Sequence, residues 1–470
     1  FEEFFWLELF LAARKAGLQA EKGPAFRTSG ELVQKALGVL PFALTGAQNK
    51  VFEQIRADLE RAKPMHRMVQ GDVGSGKTVV AFLAGLTAYE AGYQTALMAP
   101  TEILAEQHFK NAKKIFEPLG IDVDLLVGKS KAAERREILE RLASGKTGLL
   151  IGTHALIEDA VQFQKLGLVI VDEQHRFGVE QRAALKRKGE SPHFLVMTAT
   201  PIPRTLAMTV YGDLDVSVIN EMPPGRSPIQ SRVIYESKRL EALKFMMDQI
   251  AKGRQAYVVY PLVEESEKID LKNALEEFEK LKAMYPQAKF GLLHGKMKSD
   301  EKDAVMDSFR AGEIQVLVST TVIEVGVDVP NANIMLVEHS ERFGLSQLHQ
   351  LRGRVGRGEY KSFCIFILGH AVSTEAYERT SFLEKTTDGF KISEFDLELR
   401  GPGEFMGTRQ SGLPGFQMAH LVRDIEILQD AREAAFAILE GDPSLQKPDH
   451  LPLREYLLKA HGPAALASIG

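Results

Sequence analysis

Short runs of apolar residues alternate with longer stretches of helical character along most of the chain. Five of these runs lie between residues 65 and 219: HRMVQ, QTALMAP, GLLIGTHAL, LGLVIVDE and HFLVMTAT. A run that stays apolar, without a polar residue at every second position, is typical of a strand buried on both faces of a parallel sheet. The pattern therefore predicts repeated βα units around a buried parallel sheet.

A second alternating set follows, with the runs RQAYVVYPL, KFGLLHG, IQVLVST, ANIMLVE and SFCIFILG. The proline- and glycine-rich stretch EMPPGRSP, residues 221–228, separates the two sets and is a candidate linker. The two halves share a pattern but no repeated sequence, so we expect two separate sheets and not a solenoid. At 470 residues the chain is also too long for a single core.

The two ends of the chain differ from its middle. The first helix candidate, FEEFFWLELFLAARK, is apolar over most of its circumference, so we expect it to be packed between other parts of the protein. From about residue 371 the chain becomes helical and charged. We predict an N-terminal helix with its connection (1–40), two α/β domains (41–225 and 226–372) and a helical C-terminal region (373–470). The chain begins with Phe1 and not with methionine, and from this hint we expect that an N-terminal part is missing.

Composition narrows the class of protein. A hydrophobic content of 44% and a charged content of 26% are ordinary for a globular chain, and no stretch has the length and apolarity of a membrane span. The net charge of −5 gives no overall basic signature, so any nucleic-acid contact must come from local patches. The one cysteine, Cys364, excludes an internal disulfide, and its surroundings FCIFIL predict a buried structural thiol.

The stretch GDVGSGKT, residues 71–78, fits the phosphate-binding pattern G-x-x-x-x-G-K-[ST]. It follows a strand candidate and opens a helix candidate, which is the context that the pattern requires. The glycines at positions 71, 74 and 76 allow backbone N–H groups to close around phosphate oxygens. Lys77 supplies a cation to the phosphates, and the hydroxyl of Thr78 can ligate Mg²⁺. The alternative is a chance match in a glycine-rich turn, which the strand–loop–helix setting disfavours.

A second candidate site ends the apolar run LGLVIVDE. Its acidic pair, Asp172 and Glu173, would lie where a parallel sheet presents its carboxyl edge to a ligand. Asp172 is suited to hold Mg²⁺, and Glu173 is a candidate to orient and deprotonate the attacking water. An acidic pair can also merely cap a helix, but the phosphate-binding pattern earlier in the chain favours the functional interpretation.

The ordered motifs GDVGSGKT, DEQH, TATPIPRT, STTVIEVGVDVP and QLRGRVGRG together resemble those of superfamily 2 helicases and translocases. The resemblance covers most of residues 40–370 and implies two RecA-like domains that face each other across ATP and Mg²⁺. It implies adenine contacts, phosphate contacts and ribose contacts from Phe42, Gln48, Gly71, Gly74, Gly76, Lys77, Thr78, Gly326 and Asp328. It implies nucleic-acid contacts from Thr101, Thr153, His294 and Thr320.

The run QLRGRVGRG, residues 350–358, is the candidate source of positive charge from the second domain. Arg354 and Arg357 are three residues apart, so on a helix both guanidiniums would share one face and could act as arginine fingers, with Gln350 beside them. Because the arginines would come from the other domain, hydrolysis would require closure. A basic surface helix or a phosphate-backbone patch is the alternative. Arg352 would point elsewhere, and we assign it no catalytic role.

The stretch TDGFKISEFDLELRGPGEFMGTRQSGLPGF, residues 387–416, follows the second set of strands. It resembles the translocation motif of two groups of double-stranded DNA translocases, the RecG family and the transcription-repair coupling factors. There it forms a helical hairpin and a hooked loop, so the resemblance assigns translocation roles to Arg400, Arg409 and Gln410. A glycine-rich surface turn with solvated arginines is the alternative. The forms GTRQSG and DEQHRFGVEQR favour RecG.

The resemblance implies the motor part of an ATP-dependent DNA translocase, without the N-terminal wedge domain of the RecG family. The whole protein would remodel stalled forks, Holliday junctions and R-loops in recombination and repair. The expected partners are branched or duplex DNA and a single-stranded DNA-binding protein, and we expect a monomer in the bacterial cytoplasm, associated with the nucleoid. A transcription-repair coupling translocase, an RNA helicase and a non-catalytic nucleic-acid scaffold are the alternatives.

Overall fold

A computed structural model describes residues 1–20, 22–173, 179–200, 203, 214–223, 228–261, 267–320, 329–400, 418–420 and 423–461. The chain divides into two compact units. The first contains residues 1–71, 76–221 and 397–470, and the second contains residues 72–75 and 222–396.

The first unit is built on a sheet of seven parallel strands in the order β3-β4-β2-β5-β6-β1-β7. The strands are β1 His66–Gly71, β2 Gln94–Met98, β3 Asp122–Leu126, β4 Thr147–Gly152, β5 Leu166–Asp172, β6 His193–Thr198 and β7 Asp215–Ile219. All five apolar runs predicted as strands in this half are strands. The two edge strands, β3 and β7, were not predicted.

Helices cover both faces of this sheet, so the strand side chains contribute to two apolar clusters. The helices of this region are α1 Glu2–Ala20, α2 Glu31–Val39, α3 Gly46–Leu59, α4 Lys77–Glu90, α5 Glu102–Phe116, α6 Ala132–Ala143 and α7 Val179–Lys186. Helix α4 is buried along nearly its whole length, which places the residues that follow β1 firmly against the sheet.

The second unit contains six parallel strands in the order β10-β11-β9-β12-β13-β8. The strands are β8 Ile229–Tyr235, β9 Gln255–Val259, β10 Phe290–Leu293, β11 Val316–Ser319, β12 Ala332–Val337 and β13 Ser362–Leu368. The helices are α8 Arg239–Ala251, α9 Glu267–Met284, α10 Ser299–Arg310, α11 Leu345–Arg352, α12 Thr374–Lys385 and α13 Gly389–Arg400, the last of which runs into the first unit. The five predicted runs are again strands, and the edge strand β8 was missed.

The C-terminal helices α14 Ile425–Gly441 and α15 Leu451–His461 belong to the first unit. Helix α1 packs against them, as its apolar circumference predicts: the rings of Trp6 and Tyr456 stack with centroids 3.7 Å apart. The buried Glu8 carboxylate accepts a hydrogen bond from Arg432 at 2.8 Å. Burial raises the pKa of Glu8 to about 7, although Arg432 acts in the opposite direction.

The predicted fold class, α/β with two parallel sheets, is confirmed. The predicted domain boundaries after residues 40, 225 and 372 stay predictions. Cys364 is buried in β13, and burial raises the pKa of its thiol to about 12, as expected of a structural cysteine. Among the helices that the structure describes, none is long and apolar enough to cross a membrane.

Candidate nucleotide and nucleic-acid sites

The phosphate-binding stretch lies between β1 and α4, in the predicted strand–loop–helix setting. Gly74 and Gly76 have positive φ angles of 81° and 87°, a conformation that other residues adopt only with strain. Lys77 begins α4, and its buried Nζ donates a hydrogen bond to the carbonyl of Gly71 at 2.7 Å. The lysine ammonium is thus held over the loop, and Thr78 follows it in the first helical turn. This arrangement fits a bound polyphosphate.

Gln48 lies directly against this loop. A β-carbon at residue 76 would come within 2.2 Å of Gln48 Nε2, so a larger residue there would displace the Gln48 amide as well as strain the backbone. The oxygen of the same amide accepts a hydrogen bond from the backbone of Thr45 at 2.9 Å and completes a capping box at the start of α3. Gln48 is 1% exposed, whereas Phe42 is 47% exposed. Their predicted contacts with adenine stay predictions.

Asp172 ends β5 and is buried together with an unpredicted partner, His108 of α5. The distance between His108 Nε2 and Asp172 Oδ2 is 2.7 Å. Burial has the largest effect on Asp172 and raises the pKa of its carboxyl. The hydrogen bond and charge of His108 and the charge of Lys77 outweigh burial, so the pKa lies below its ordinary value. Asp172 is therefore an ionised carboxylate, which suits a Mg²⁺ ligand.

Glu173 has a positive φ of 54°, which is uncommon for a residue other than glycine. Its backbone N–H donates to the carbonyl of Met197 at 2.9 Å. Its carboxylate accepts a hydrogen bond from the N–H of Ala199 at 3.2 Å and a longer one from the hydroxyl of Thr198 at 3.5 Å. The glutamate thus connects the end of β5 with the TAT segment that follows β6. Backbone strain of this kind is often found at functional sites.

Lys77, Asp172 and Glu173 lie on one carboxyl edge of the sheet. Lys77 follows β1, the two acids stand at the end of β5, and β5, β6 and β1 are consecutive in the sheet. Parallel strands point their carboxyl ends the same way, and ligands of such sheets bind there. A cation on the loop and two carboxylates near it are what a Mg²⁺–nucleotide complex requires. Lys77, Thr78, Asp172 and Glu173 therefore fit the predicted cofactors, although their catalytic roles stay predictions.

The predicted nucleic-acid residues of the first unit lie farther along the same edge. Thr101 follows β2 and caps α5, since its hydroxyl accepts a hydrogen bond from the N–H of Leu104 at 3.4 Å. Thr153 follows β4, which neighbours β2. The hydroxyl of Thr153 is buried and has no hydrogen-bond partner among the described residues. A buried hydroxyl without a partner is uncommon, and a bound water or an oxygen of a ligand could satisfy it.

The second unit brings together two more predicted nucleic-acid residues. The N–H of Thr320 donates to the carbonyl of Leu293 at 3.2 Å, so the ends of β11 and β10 are adjacent. Within the part of the chain that the structure covers, the Thr320 hydroxyl and His294 Nδ1 are buried without partners. Burial, and next the charge of Lys302, lower the pKa of His294, so its ring is neutral at pH 7.

The expectation that Arg354 and Arg357 share one face of a helix is wrong. Helix α11 ends at Arg352, and the two arginines lie in the turn that follows it. Gly353 is the C-cap of the helix, and Gly356, farther along the turn, adopts a positive φ of 81°, which a continuing helix would not allow. Gln350 is buried in the last turn of α11. The proposed roles of these three residues do not depend on the helix and stay predictions.

Arg352, to which no role was assigned, is one of the largest fully buried side chains, with 2% exposure. Its guanidinium donates hydrogen bonds to the carbonyls of Leu383, Thr386 and Thr387, at 3.0, 2.8 and 3.2 Å. It also contacts His349 Nδ1 at 2.7 Å. Arg352 thus holds the end of α12 against α11. Nothing in the local sequence distinguishes such a buried arginine from a surface one.

Four predicted residues lie outside the described part of the chain: Gly326, Asp328, Arg409 and Gln410. Arg400 is the last residue of α13, and its side chain also lies outside the described part.

Three family models match successive parts of the chain. The DEAD/DEAH box helicase model matches residues 45–209, and the helicase conserved C-terminal domain matches residues 238–359. The model "ATP-dependent DNA helicase RecG, domain 3, C-terminal" matches residues 386–460, which include the glycine-rich stretch.

Curated relatives extend the similarity over nearly the whole chain. The ATP-dependent DNA helicase RecG of Bacillus subtilis (strain 168) is 50% identical over 462 residues, which are 98% of this chain and 68% of the relative. The chain belongs to the RecG family. The RecG protein of Synechocystis is 53% identical over 456 residues, 97% of this chain and 55% of the relative. The chain thus spans about half to two thirds of the length of these RecG proteins.

Solved structures agree with the RecG assignment. "Structure of RecG bound to three-way DNA junction" matches with a TM-score of 0.76 and 47% identity, over 91% of this chain and 56% of that one. S. cerevisiae Dbp5 bound to RNA and ADP BeF3 matches with a TM-score of 0.56 and 17% identity, over 87% of this chain and 98% of that one. At that identity, the second likeness shows a shared fold alone.

Proposed function

We propose that this chain is the motor of an ATP-dependent DNA translocase that, within the whole protein, remodels branched DNA. The observation that carries the proposal is the cluster of Lys77, Asp172 and Glu173 on one sheet edge, in a chain of the RecG family. The related RecG proteins are ATP-dependent DNA helicases by name, and one solved RecG is bound to a three-way DNA junction.

Lys77 and the N–H groups of the loop after β1 would hold the phosphates of ATP, and Thr78 and Asp172 would hold Mg²⁺. The metal, when bound, neutralises negative charge on the phosphate oxygens. Glu173 would accept the proton of the attacking water. Its hydrogen bond with the N–H of Ala199 supports a further role, the coupling of hydrolysis to the TAT segment. A movement of the Glu173 carboxylate would change this hydrogen bond directly.

From the second unit, Arg354 and Arg357 would stabilise the transition-state charge, and Gly326 and Asp328 would lie near the ribose. Gln48 and Phe42 would contact adenine. Hydrolysis would then require groups from both units, which couples it to their movement. The glycines around the arginines support this role, because a turn can bring a guanidinium close to a phosphate more freely than a helix can.

For DNA, the buried and unpartnered groups of Thr153, Thr320 and His294 support direct contact with a strand. The stretch with Arg400, Arg409 and Gln410 would act on duplex DNA as the translocating element. We further propose that the protein works as a monomer on the bacterial chromosome, with a single-stranded DNA-binding protein as a candidate partner.

The deciding experiment measures ATP hydrolysis with duplex DNA, forked DNA and RNA, at about 50 mM and about 200 mM salt. We expect strong stimulation by forked and duplex DNA, weak stimulation by RNA, and loss of DNA affinity at the higher salt, because phosphate contacts release counterions. Equal stimulation by RNA would favour an RNA helicase. Absence of any hydrolysis in the folded protein would favour a non-catalytic scaffold.

Two variants separate hydrolysis from movement. Lys77→Ala should abolish ATP hydrolysis, whereas Lys113→Ala, which removes a half-exposed lysine paired with Glu117, should not.

Arg409→Ala should retain much of the hydrolysis but stop the unwinding of forked DNA, with Arg423→Ala as its exposed control. Normal unwinding by Arg409→Ala would refute the role of the glycine-rich stretch. Retention on immobilised RNA polymerase would favour the coupling-factor alternative.

A further inference from the structure

His108 is a buried histidine that no part of the proposed mechanism has used. Its Nε2 lies 2.7 Å from Oδ2 of Asp172, the proposed Mg²⁺ ligand. His108 and Asp172 are only 6% and 8% exposed, so water competes little for this hydrogen bond. A carboxylate held through one oxygen has a fixed orientation and keeps its other oxygen for a second partner.

The helix that carries His108 begins at the candidate nucleic-acid site. Helix α5 starts immediately after its N-cap Thr101, at the end of β2. Strand β2 is hydrogen-bonded to β4, which ends before Thr153, on one side and to β5, which ends at Asp172, on the other. At 1.5 Å per residue, Thr101 and His108 are about 10 Å apart along the helix. One rigid helix therefore joins the two proposed sites.

An α-helix changes length little under small forces, so a displacement at its start is carried to later turns. The positive end of the helix dipole and the N–H groups around Thr101 are suited to a phosphate of the tracked strand. Any shift of α5 on contact with that phosphate would alter the hydrogen bond between His108 and Asp172. The contact thus offers a short route from DNA to the metal-binding carboxylate.

We propose that His108 is a positioning residue that orients the carboxylate of Asp172 and makes this orientation depend on nucleic acid at the start of α5. The inference rests on the proposed functions of Asp172 and Thr101. It requires no proton transfer and no direct contact of His108 with metal or nucleotide.

The test compares His108→Leu, which removes the hydrogen bond, with His108→Gln, which keeps a donor. Binding of Mn²⁺ in the presence of ADP, followed by electron paramagnetic resonance, reports the carboxylate without turnover. We expect His108→Leu to weaken Mn²⁺ binding about tenfold, the range typical of lost outer-shell partners. It should also lower the DNA-stimulated kcat about tenfold, with a smaller effect on the rate without DNA and on KM. His108→Gln should restore both values to within about threefold.

Controls separate the possible failures. Asn111→Leu changes an exposed position of the same helix and should leave both values unchanged. Asp172→Asn should remove Mn²⁺ binding and hydrolysis, and if it does not, the proposed function itself is wrong. If Asp172→Asn behaves as expected but folded His108→Leu retains Mn²⁺ affinity and DNA stimulation, only the role of His108 is refuted.

If His108→Leu does not fold, the wild-type protein with ¹⁵N-labelled histidine decides. The ring signal of His108, assigned by its absence from His108→Gln, should shift when duplex DNA is added without nucleotide. An unchanged signal at saturating DNA would overturn the proposal.

Discussion

The carboxyl edges of the two sheets differ in how their polar side chains are satisfied. In the first unit Lys77, Asp172 and Glu173 each contact another group of the same unit: the Gly71 carbonyl, His108 and the Ala199 N–H. In the second unit Thr320 and His294 retain buried polar atoms that have no partner among the described residues. The nucleotide-binding groups of the first edge are therefore organised before any ligand binds, whereas the second edge, like Thr153 on the first, keeps polar atoms that a ligand could satisfy.

This difference suggests a division of labour between the units. A preorganised edge loses little conformational freedom on binding, so Lys77, Asp172 and the loop after β1 should hold the nucleotide largely without Arg354 and Arg357. We propose that the second unit contributes arginines to hydrolysis, from a glycine-bounded turn, and polar atoms that a nucleic acid could satisfy. Substitutions of Lys77, Asp172 or Glu173 should then affect nucleotide affinity or the rate of ATP hydrolysis. Substitutions of the arginines in the second unit should affect the rate of ATP hydrolysis and leave nucleotide affinity unchanged.

The largest expected effect comes from the second unit. Arg357→Ala should reduce the rate of DNA-stimulated ATP hydrolysis by about ten thousandfold, because an arginine finger acts mainly in the transition state. The affinity for a fluorescent ATP analogue should change by less than about threefold, since we propose that Lys77, Asp172 and the loop after β1 make most of the nucleotide contacts. Both values can be measured in one protein preparation.

The matched control is Arg310→Ala, which removes an exposed arginine paired with Asp307 in α10 of the same unit. It should leave hydrolysis unchanged. A loss of nucleotide affinity in Arg357→Ala as large as the loss of rate would contradict the division of labour, because the arginine would then be a ground-state ligand.

The next effect belongs to the first unit. Glu173→Gln should lower the hydrolysis rate by about a thousandfold, since the amide cannot accept the proton of the attacking water. Nucleotide affinity should persist, and the amide oxygen can still accept from the N–H of Ala199, 3.2 Å from the carboxylate in the wild type. Glu158→Gln, at an exposed glutamate after β4, is the control. Hydrolysis by Glu173→Gln at more than a tenth of the wild-type rate would exclude Glu173 as the general base.

The same comparison explains which parts of the fold could be predicted from the sequence. Interior strands such as β4 and β5 are buried at every position, so they appear as continuous apolar runs. The missed strands β3, β7 and β8 are edge strands with exposed or half-exposed positions, and their sequences DVDLL, DVSVI and IQSRVIY alternate. The neighbouring sheet, and not the local sequence, determines that these segments are strands.

For the site, the phosphate loop and the acidic pair could be predicted because each is contiguous in sequence. His108 could not, because its partner Asp172 lies 64 positions away and a lone histidine in a helix has no distinctive pattern. The end of α11 at Arg352 was missed because the spacing of Arg354 and Arg357 suits a helix, whereas Gly353 caps the helix and Gly356 has a positive φ. Sequence periodicity gives no information about contacts between residues far apart in the chain or about the backbone conformation of a glycine.

Acid should affect two histidines, one in each unit, in opposite directions. Burial, the largest influence, lowers the pKa of His193 in the first unit to about 4. Its contribution to stability is complete above the unfolded pKa of 6.5 and is lost as the pH falls from there towards 4. In the second unit the hydrogen bond with Glu341 raises the pKa of His339. That contribution is complete below 6.5 and is lost only as the pH rises.

Hydrogen exchange can measure this effect locally. The N–H of Met65 donates to His193 Nδ1 at 2.9 Å, so protonation of the ring removes its acceptor. Between pH 7 and pH 5 the contact should lose about 2 kcal/mol, which corresponds to about thirtyfold more frequent opening after correction for intrinsic exchange. Peptides around Glu8, whose raised pKa has the opposite sign, should not open more often. Equal opening at both pH values would show that His193 is not the acceptor in solution.

The smallest expected effect concerns the two buried threonine hydroxyls without partners among the described residues. It tests whether both units contact DNA through such a hydroxyl. Thr153→Val in the first unit and Thr320→Val in the second preserve shape while removing a hydroxyl that has no partner among the described residues. Each variant should lose about fivefold in DNA affinity, the value of one hydrogen bond, and keep its stability.

Thr87→Val is the matched control, because the buried Thr87 hydroxyl donates to the Leu83 carbonyl at 3.0 Å. It should lose about 1 kcal/mol of stability and no DNA affinity. If Thr153→Val behaves like Thr87→Val, the Thr153 hydroxyl has an internal partner in solution. The first unit then lacks a hydroxyl available to DNA, such as the one that Thr320 offers in the second unit.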